Sequence, residues 1–109
     1  MPERAKKAVS EQIAERYENF FKPADDLVKD AQKPRGLGPE AYMNAAQKIE
    51  RLIREEEKQG KRNPELYLKA SEKIERYLSE MPLKPGYVAA KNALKDALTR
   101  WKYEAKRHR

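Results

Sequence analysis

The stretch PEAYMNAAQKIERLIREEEKQGKRNPELYLKASEKIERYLSE, residues 39–80, decides the fold of this chain. Apolar residues recur in it every three or four positions, which is the spacing of one face of an α-helix. Gly60 is typical of a helix end, and Asn63, followed by proline and glutamate, is typical of a helix start. The stretch therefore predicts two helices, over about 39–59 and 64–80, in an antiparallel hairpin.

Helical periodicity continues on both sides of this hairpin, and proline marks the expected helix starts. It predicts a helix over about 3–21, a short helix over about 24–32 and a final helix over about 85–106. Two glycines and a proline predict a loop at 33–38. A chain of this length is too short to divide into two stable cores. The predicted fold class is therefore all-α: a single-domain helical bundle, over 1–109, of four main helices plus one short helix.

The apolar faces of the five segments form the expected core. They contain Ala5, Val9, Ile13, Tyr17, Phe20 and Phe21; Ala24, Leu27, Val28 and Ala31; Tyr42, Ala45, Ile49, Leu52 and Ile53; Leu66, Tyr67, Ala70, Ile74, Tyr77, Leu78 and Met81; and Tyr87, Ala90, Leu94, Ala97, Leu98, Trp101 and Ala105. Trp101 projects to the same side of the last helix as Leu94, so we expect a core anchor whose indole N–H finds a local acceptor.

The composition excludes most catalytic chemistry. The chain has no cysteine and one histidine, so it offers no Cys/His zinc site, no thiol nucleophile and no interior Ser/His/Asp triad. Neighbouring acids such as Asp25 and Asp26 project in different directions from a helix and do not converge. We therefore expect no enzymatic activity, no catalytic residue, no metal and no cofactor.

The same composition bears on location. The lack of cysteine suits a reducing compartment, and no apolar run has the length of a transmembrane segment or signal peptide. The sequence therefore predicts an intracellular, cytoplasmic protein.

Positive charge is concentrated at the end of the chain. The net charge is +7, with eight basic and two acidic residues over 84–109. The preceding residues 1–83 are nearly balanced, with 17 basic and 16 acidic side chains. Such asymmetry is a cue for a surface that faces a polyanion.

Projected on a helical wheel, the cations of the last helix fall into two sectors beside the core. One flank holds Lys91, Lys95, Lys102, Lys106 and Arg109. The second sector contains Arg100 and Arg107, and Tyr103 lies opposite the core. These eight residues are the candidate nucleic-acid-binding site, because spaced cations follow a phosphate backbone. Tyr103 either stacks on an unpaired base, lies against an adjoining helix or frays with the terminus.

A repeat relates the two helices of the central hairpin. Tyr-x-x-Ala-x-x-Lys-Ile-Glu-Arg occurs at 42–51 and again at 67–76. Alternating large and small core residues and good helix formers explain most of it. The outward Glu-Arg pairs, Glu50-Arg51 and Glu75-Arg76, are either solvated charges or a partner surface.

Nucleic-acid binding is the leading functional hypothesis: a small basic accessory protein that holds DNA or RNA through phosphates, with little sequence preference. Lys33, Arg35, Lys61 and Arg62 in the turns are additional candidate contacts. The alternative is a helical protein–protein interaction module or adaptor, since cations also bind an acidic protein partner. Homodimer formation that completes the core remains open.

Overall fold

The computed structural model describes residues 19–31, 33, 38–60 and 63–107. These residues form helix α1 (Lys22–Ala31), helix α2 (Pro39–Lys58), helix α3 (Pro64–Glu80), a 3-10 turn (Pro85–Tyr87) and helix α4 (Val88–Arg107). The described part of the chain contains no strand, which confirms the all-α fold class. The predicted helix over about 3–21 lies outside it except for its last three residues. Arg35, Lys61, Arg62 and Arg109 are also outside the described residues.

The ends of α2 and α3 follow the local sequence signals. Gly60, just beyond α2, has a φ of 78°, a conformation that glycine adopts without the steric cost of a Cβ. The side chain of Asn63 accepts a hydrogen bond of 3.0 Å from the backbone N–H of Glu65, and Pro64 occupies the first helical position. Helix α2 therefore ends at Lys58 and α3 begins at Pro64, within one residue of the predicted bounds.

Helices α2 and α3 pack mainly against other helices. The most extensive backbone contacts join α3 to α4 and α1 to α2, and α4 also contacts α2. Close approach between α2 and α3 themselves is limited to a few positions. On α4, Ala90 and Ala105 are buried, and small side chains at a helix contact shorten the distance between axes. The final helix, rather than α2, is thus the main packing partner of α3.

A single apolar core joins the four helices. Its buried members include Phe21, Ile49, Ile53, Ile74 and Leu94, as the periodicity predicts. Several predicted core residues are only partly buried at its edge; they are Phe20, Leu27, Ala31, Leu52, Leu78, Tyr87, Ala97 and Leu98.

Trp101 is the largest fully buried side chain and stacks on Tyr67, with ring centroids 6.1 Å apart and planes inclined by 19°. Its role as a core anchor is confirmed. The predicted acceptor for its indole N–H is not found: Nε1 has no hydrogen-bond partner in the part of the chain that the structure describes. A buried donor without a partner costs about 1–3 kcal/mol, which the burial of the ring must offset.

One buried charge lies between α1 and α3. Lys73 is 3% exposed, and its Nζ lies 2.8 Å from Oδ2 of Asp25. The hydroxyl of Tyr77 donates a hydrogen bond to the other oxygen of the same carboxylate. Asp25 also lies in the first turn of α1, where a negative charge is favourable. This cluster ties α1 to α3 across the core.

We expect Lys73→Ala to lower the free energy of unfolding by about 2–4 kcal/mol, because it leaves a partly buried carboxylate without its ammonium partner. Lys48 is the matched control, since it holds the equivalent position of the repeat but is only half-buried. For Lys48→Ala we expect a loss below about 1 kcal/mol. Urea unfolding followed by circular dichroism measures both values, and equal losses would contradict the role given to the cluster.

Candidate nucleic-acid interface

Helix α4 carries six basic and two acidic residues. All of the predicted site residues except Arg109 lie on it within the described range. They are Lys91, Lys95, Arg100, Lys102, Tyr103, Lys106 and Arg107. The predicted residues therefore belong to one continuous helix, and its packing decides which of them face solvent.

The orientation of α4 is fixed by its buried stripe. Ala90, Leu94, Trp101 and Ala105 are buried, at separations of four, seven and four residues. This spacing places them on one side of the helix, against the core. Neighbouring helices consequently flank α4 on both sides of that stripe.

Towards α2, Arg100 meets an acidic side chain. Its Nη1 lies 3.0 Å from Oε1 of Glu50. Arg54 also contacts this carboxylate at 3.5 Å and pairs with Glu57 at 3.0 Å. Burial opposes the charged form of Arg54, but its hydrogen bond to Glu57 and the charges of Glu57 and Glu50 raise the pKa of its guanidinium. Arg100 therefore belongs to an ion-pair network between two helices rather than to a free cationic surface.

Towards α3, Lys102 meets a second carboxylate. Its Nζ lies 2.9 Å from Oε1 of Glu75. Within α4, Arg107 approaches Glu104 at 3.9 Å, which is a weak contact on the helix surface. Three of the predicted cations are thus partly neutralised by neighbouring acids.

Glu50 and Glu75 occupy equivalent positions of the sequence repeat, and each binds a cation of α4. The repeat therefore places one glutamate on each flank of the last helix. Sequence reasoning found these glutamates but assigned them to solvent or to a partner surface. Their arginine neighbours behave differently: Arg51 is exposed, and Arg76 pairs with Glu80 at 3.4 Å within α3.

The remaining three cations of α4 form no ion pair within the described part of the chain. Lys91, Lys95 and Lys106 have no carboxylate partner among the described residues. Lys95 and Lys106 are exposed and Lys91 is half-buried. At 1.5 Å per residue they extend over about 22 Å of helix. Three ammonium groups therefore line one flank of α4, and none of them is paired with an acid from residues 19–31, 33, 38–60 or 63–107.

Tyr103 lies on the outward side of α4 and is 62% exposed. Lys106 and Arg107 follow it by one helical turn and share its face. The ring is therefore not covered by a neighbouring helix of the described structure, and the residue lies inside the helix rather than at a frayed end. An exposed aromatic ring among cations is the arrangement by which single-strand binders hold bases and phosphates together.

Comparison of the chain with protein-family models, curated proteins and solved structures gave no match.

Two further properties concern only the described residues. None of their helices has the combination of length and apolar character that crossing a membrane requires. No group of three or more acidic or histidine side chains among them is placed to hold a metal ion.

We expect the contacts that flank α4 to contribute little stability individually, because exposed ion pairs contribute about 0.2–1 kcal/mol. A double-mutant cycle of Glu75→Ala and Lys102→Ala should give a coupling energy in that range, decreasing in high salt. Glu65 is the control, since it lies ten residues earlier on α3, about 15 Å along the axis. A coupling to Lys102 as large for Glu65 as for Glu75 would contradict the specific pairing.

Proposed function

We propose that this chain binds nucleic acid, mainly through phosphate contacts of α4. The observation that carries the proposal is a row of cations, Lys91, Lys95 and Lys106, that have no carboxylate partner among the residues the structure describes, on the helix that also exposes Tyr103. Cations that bind phosphates release counterions, and this release drives association without regard to sequence.

The ion pairs on the two sides of α4 limit this surface. Arg100 and Lys102 already neutralise glutamates, so a phosphate must compete with Glu50 or Glu75 to reach them. Because exposed pairs are weak, such exchange costs little, but it gives less than binding to a free lysine. The three lysines that lack an acidic neighbour in the described structure are therefore the principal phosphate contacts, and Arg100 and Lys102 are secondary ones.

Single strands are the preferred form in this proposal. The exposed ring of Tyr103 offers a stacking surface, and base–aromatic stacking contributes about 1–3 kcal/mol per base. In a duplex the faces of the bases are already stacked and are closed to the ring. An acidic protein partner would use the same lysines but would gain nothing from base stacking, so Tyr103 distinguishes the two kinds of ligand.

Titration of a labelled oligothymidylate at several salt concentrations, followed by fluorescence anisotropy, tests the phosphate contacts. We expect Lys91→Gln/Lys95→Gln/Lys106→Gln to reduce affinity at low salt at least tenfold and to lower the slope of log K against log salt by about 2. The charge-matched control is Lys22→Gln/Lys29→Gln/Lys58→Gln, which removes three exposed lysines from α1 and α2. Equal loss in both variants, or no binding by the unaltered protein at low salt, would exclude the proposed surface.

A second titration isolates the stacking contribution. Tyr103→Ala should weaken binding of the single strand by about 5- to 150-fold, whereas Tyr103→Phe, which keeps the ring, should bind nearly as the unaltered protein does. A blunt duplex of the same length is the control ligand, and its binding should change little. If Tyr103→Ala affects neither ligand, the tyrosine has no part in recognition.

A further inference from the structure

A small apolar groove lies where α3 leads into α4. Leu83 is 91% exposed and Val88 is 54% exposed. Both line one groove of about 320 Å³, together with Tyr87 and two prolines. Single exposed apolar side chains are ordinary on protein surfaces, whereas two that share a concave surface make it a candidate docking site.

The backbone holds Leu83 outward. Pro82 and Pro85 flank Leu83 and Lys84, and a residue that precedes proline is restricted to extended backbone. Met81 and Lys84 both have that conformation, with φ/ψ of −70°/132° and −125°/148°. The backbone N–H of Tyr87 then donates a hydrogen bond of 3.0 Å to the carbonyl of Lys84. Since the segment is already restricted, a ligand that covers Leu83 would lose little binding energy in ordering it.

One residue that lines the groove, Tyr87, also packs against the core. Tyr87 is half-buried and packs edge to face on the buried Tyr42, with ring centroids 6.2 Å apart. Burial raises the pKa of the Tyr42 hydroxyl, and the charge of Glu80 and the hydroxyl of Tyr87 raise it further. Tyr87 therefore joins the groove that Leu83 and Val88 line to the buried core.

The charged groups of the groove have one sign. Lys84 and Lys91 are the charged side chains that line it, and no acidic residue of the described structure does so. Lys91 has no carboxylate partner among the described residues, and Lys95 lies one turn further along the same helix. A groove lined by apolar side chains and two lysines complements a large apolar side chain that has carboxylates beside it.

We propose that this groove docks a short acidic segment of a partner protein, with one large apolar side chain between Leu83 and Val88 and carboxylates against Lys84 and Lys91. The surface accommodates one or two side chains, so the contact belongs to the weak, transient class of protein interfaces. This inference shares Lys91 with the nucleic-acid proposal, but Leu83, Lys84 and Val88 are not among the proposed phosphate or stacking contacts, so substitutions at these three residues test it separately.

Selection from a random peptide library displayed on phage tests the proposal directly, because the library samples every side chain at every position. The unaltered full chain should enrich peptides in which leucine, phenylalanine or tryptophan is flanked by aspartate or glutamate. Lys84→Glu/Lys91→Glu should instead enrich lysine and arginine at the flanking positions. Lys29→Glu/Lys58→Glu, an equal change of charge on α1 and α2, should leave the acidic preference unchanged.

The enriched peptide, synthesised with a fluorophore, then gives the affinity by anisotropy. Leu83→Ser should weaken its binding at least tenfold, while circular dichroism stays unchanged because the side chain is exposed. Equal affinity for Leu83→Ser, or the absence of enriched acidic peptides, would overturn the proposal. So would a concentration-dependent dimer in sedimentation equilibrium that Leu83→Ser abolishes, because the groove would then hold a second copy of this chain.

Discussion

The packing of α4 between α2 and α3 is the constraint on which the rest of the structure depends. Trp101 anchors it by stacking on Tyr67 inside the core, with Leu94 buried two turns earlier on the same side of the helix. Glu50 from α2 and Glu75 from α3 then contact cations on its two flanks. The apolar stripe supplies most of the stability, since exposed ion pairs add little, but the glutamates determine which cations remain free.

This arrangement separates two surfaces along one helix. On the outward side and one flank, Lys95, Tyr103 and Lys106 are exposed without carboxylate partners among the described residues. At the beginning of the helix, Val88 joins Leu83 in an apolar groove edged by lysines. The proposed nucleic-acid contacts and the proposed peptide contacts meet at Lys91, so one ligand is expected to influence the other there. Both surfaces exist because the core occupies only the inner side of α4.

Local signals in the sequence predict much of the fold. The cap at Asn63 and the glycine at Gly60 depend on neighbouring residues alone, and apolar periodicity identifies the buried face of each helix. Lys73 is different, because its burial depends on Asp25, which is 48 residues away, and lysine is otherwise exposed. The prediction of an acceptor for the Trp101 N–H was likewise wrong within the described structure. Periodicity gives the direction in which a side chain points and does not identify its neighbours. For the same reason, helical projection of the sequence places Glu50 and Glu75 away from the core but does not show that α4 lies beside them.

Mapping of backbone amides by ¹⁵N–¹H NMR during titration with oligothymidylate tests the central claim most directly, that the uncovered side of α4 is the ligand surface. We expect the largest shift changes at Lys95, Tyr103 and Lys106, saturating together, with little change at the exposed Arg51 and Lys58 of α2. Changes centred on α2, or changes spread evenly over exposed lysines of all four helices, would contradict the account.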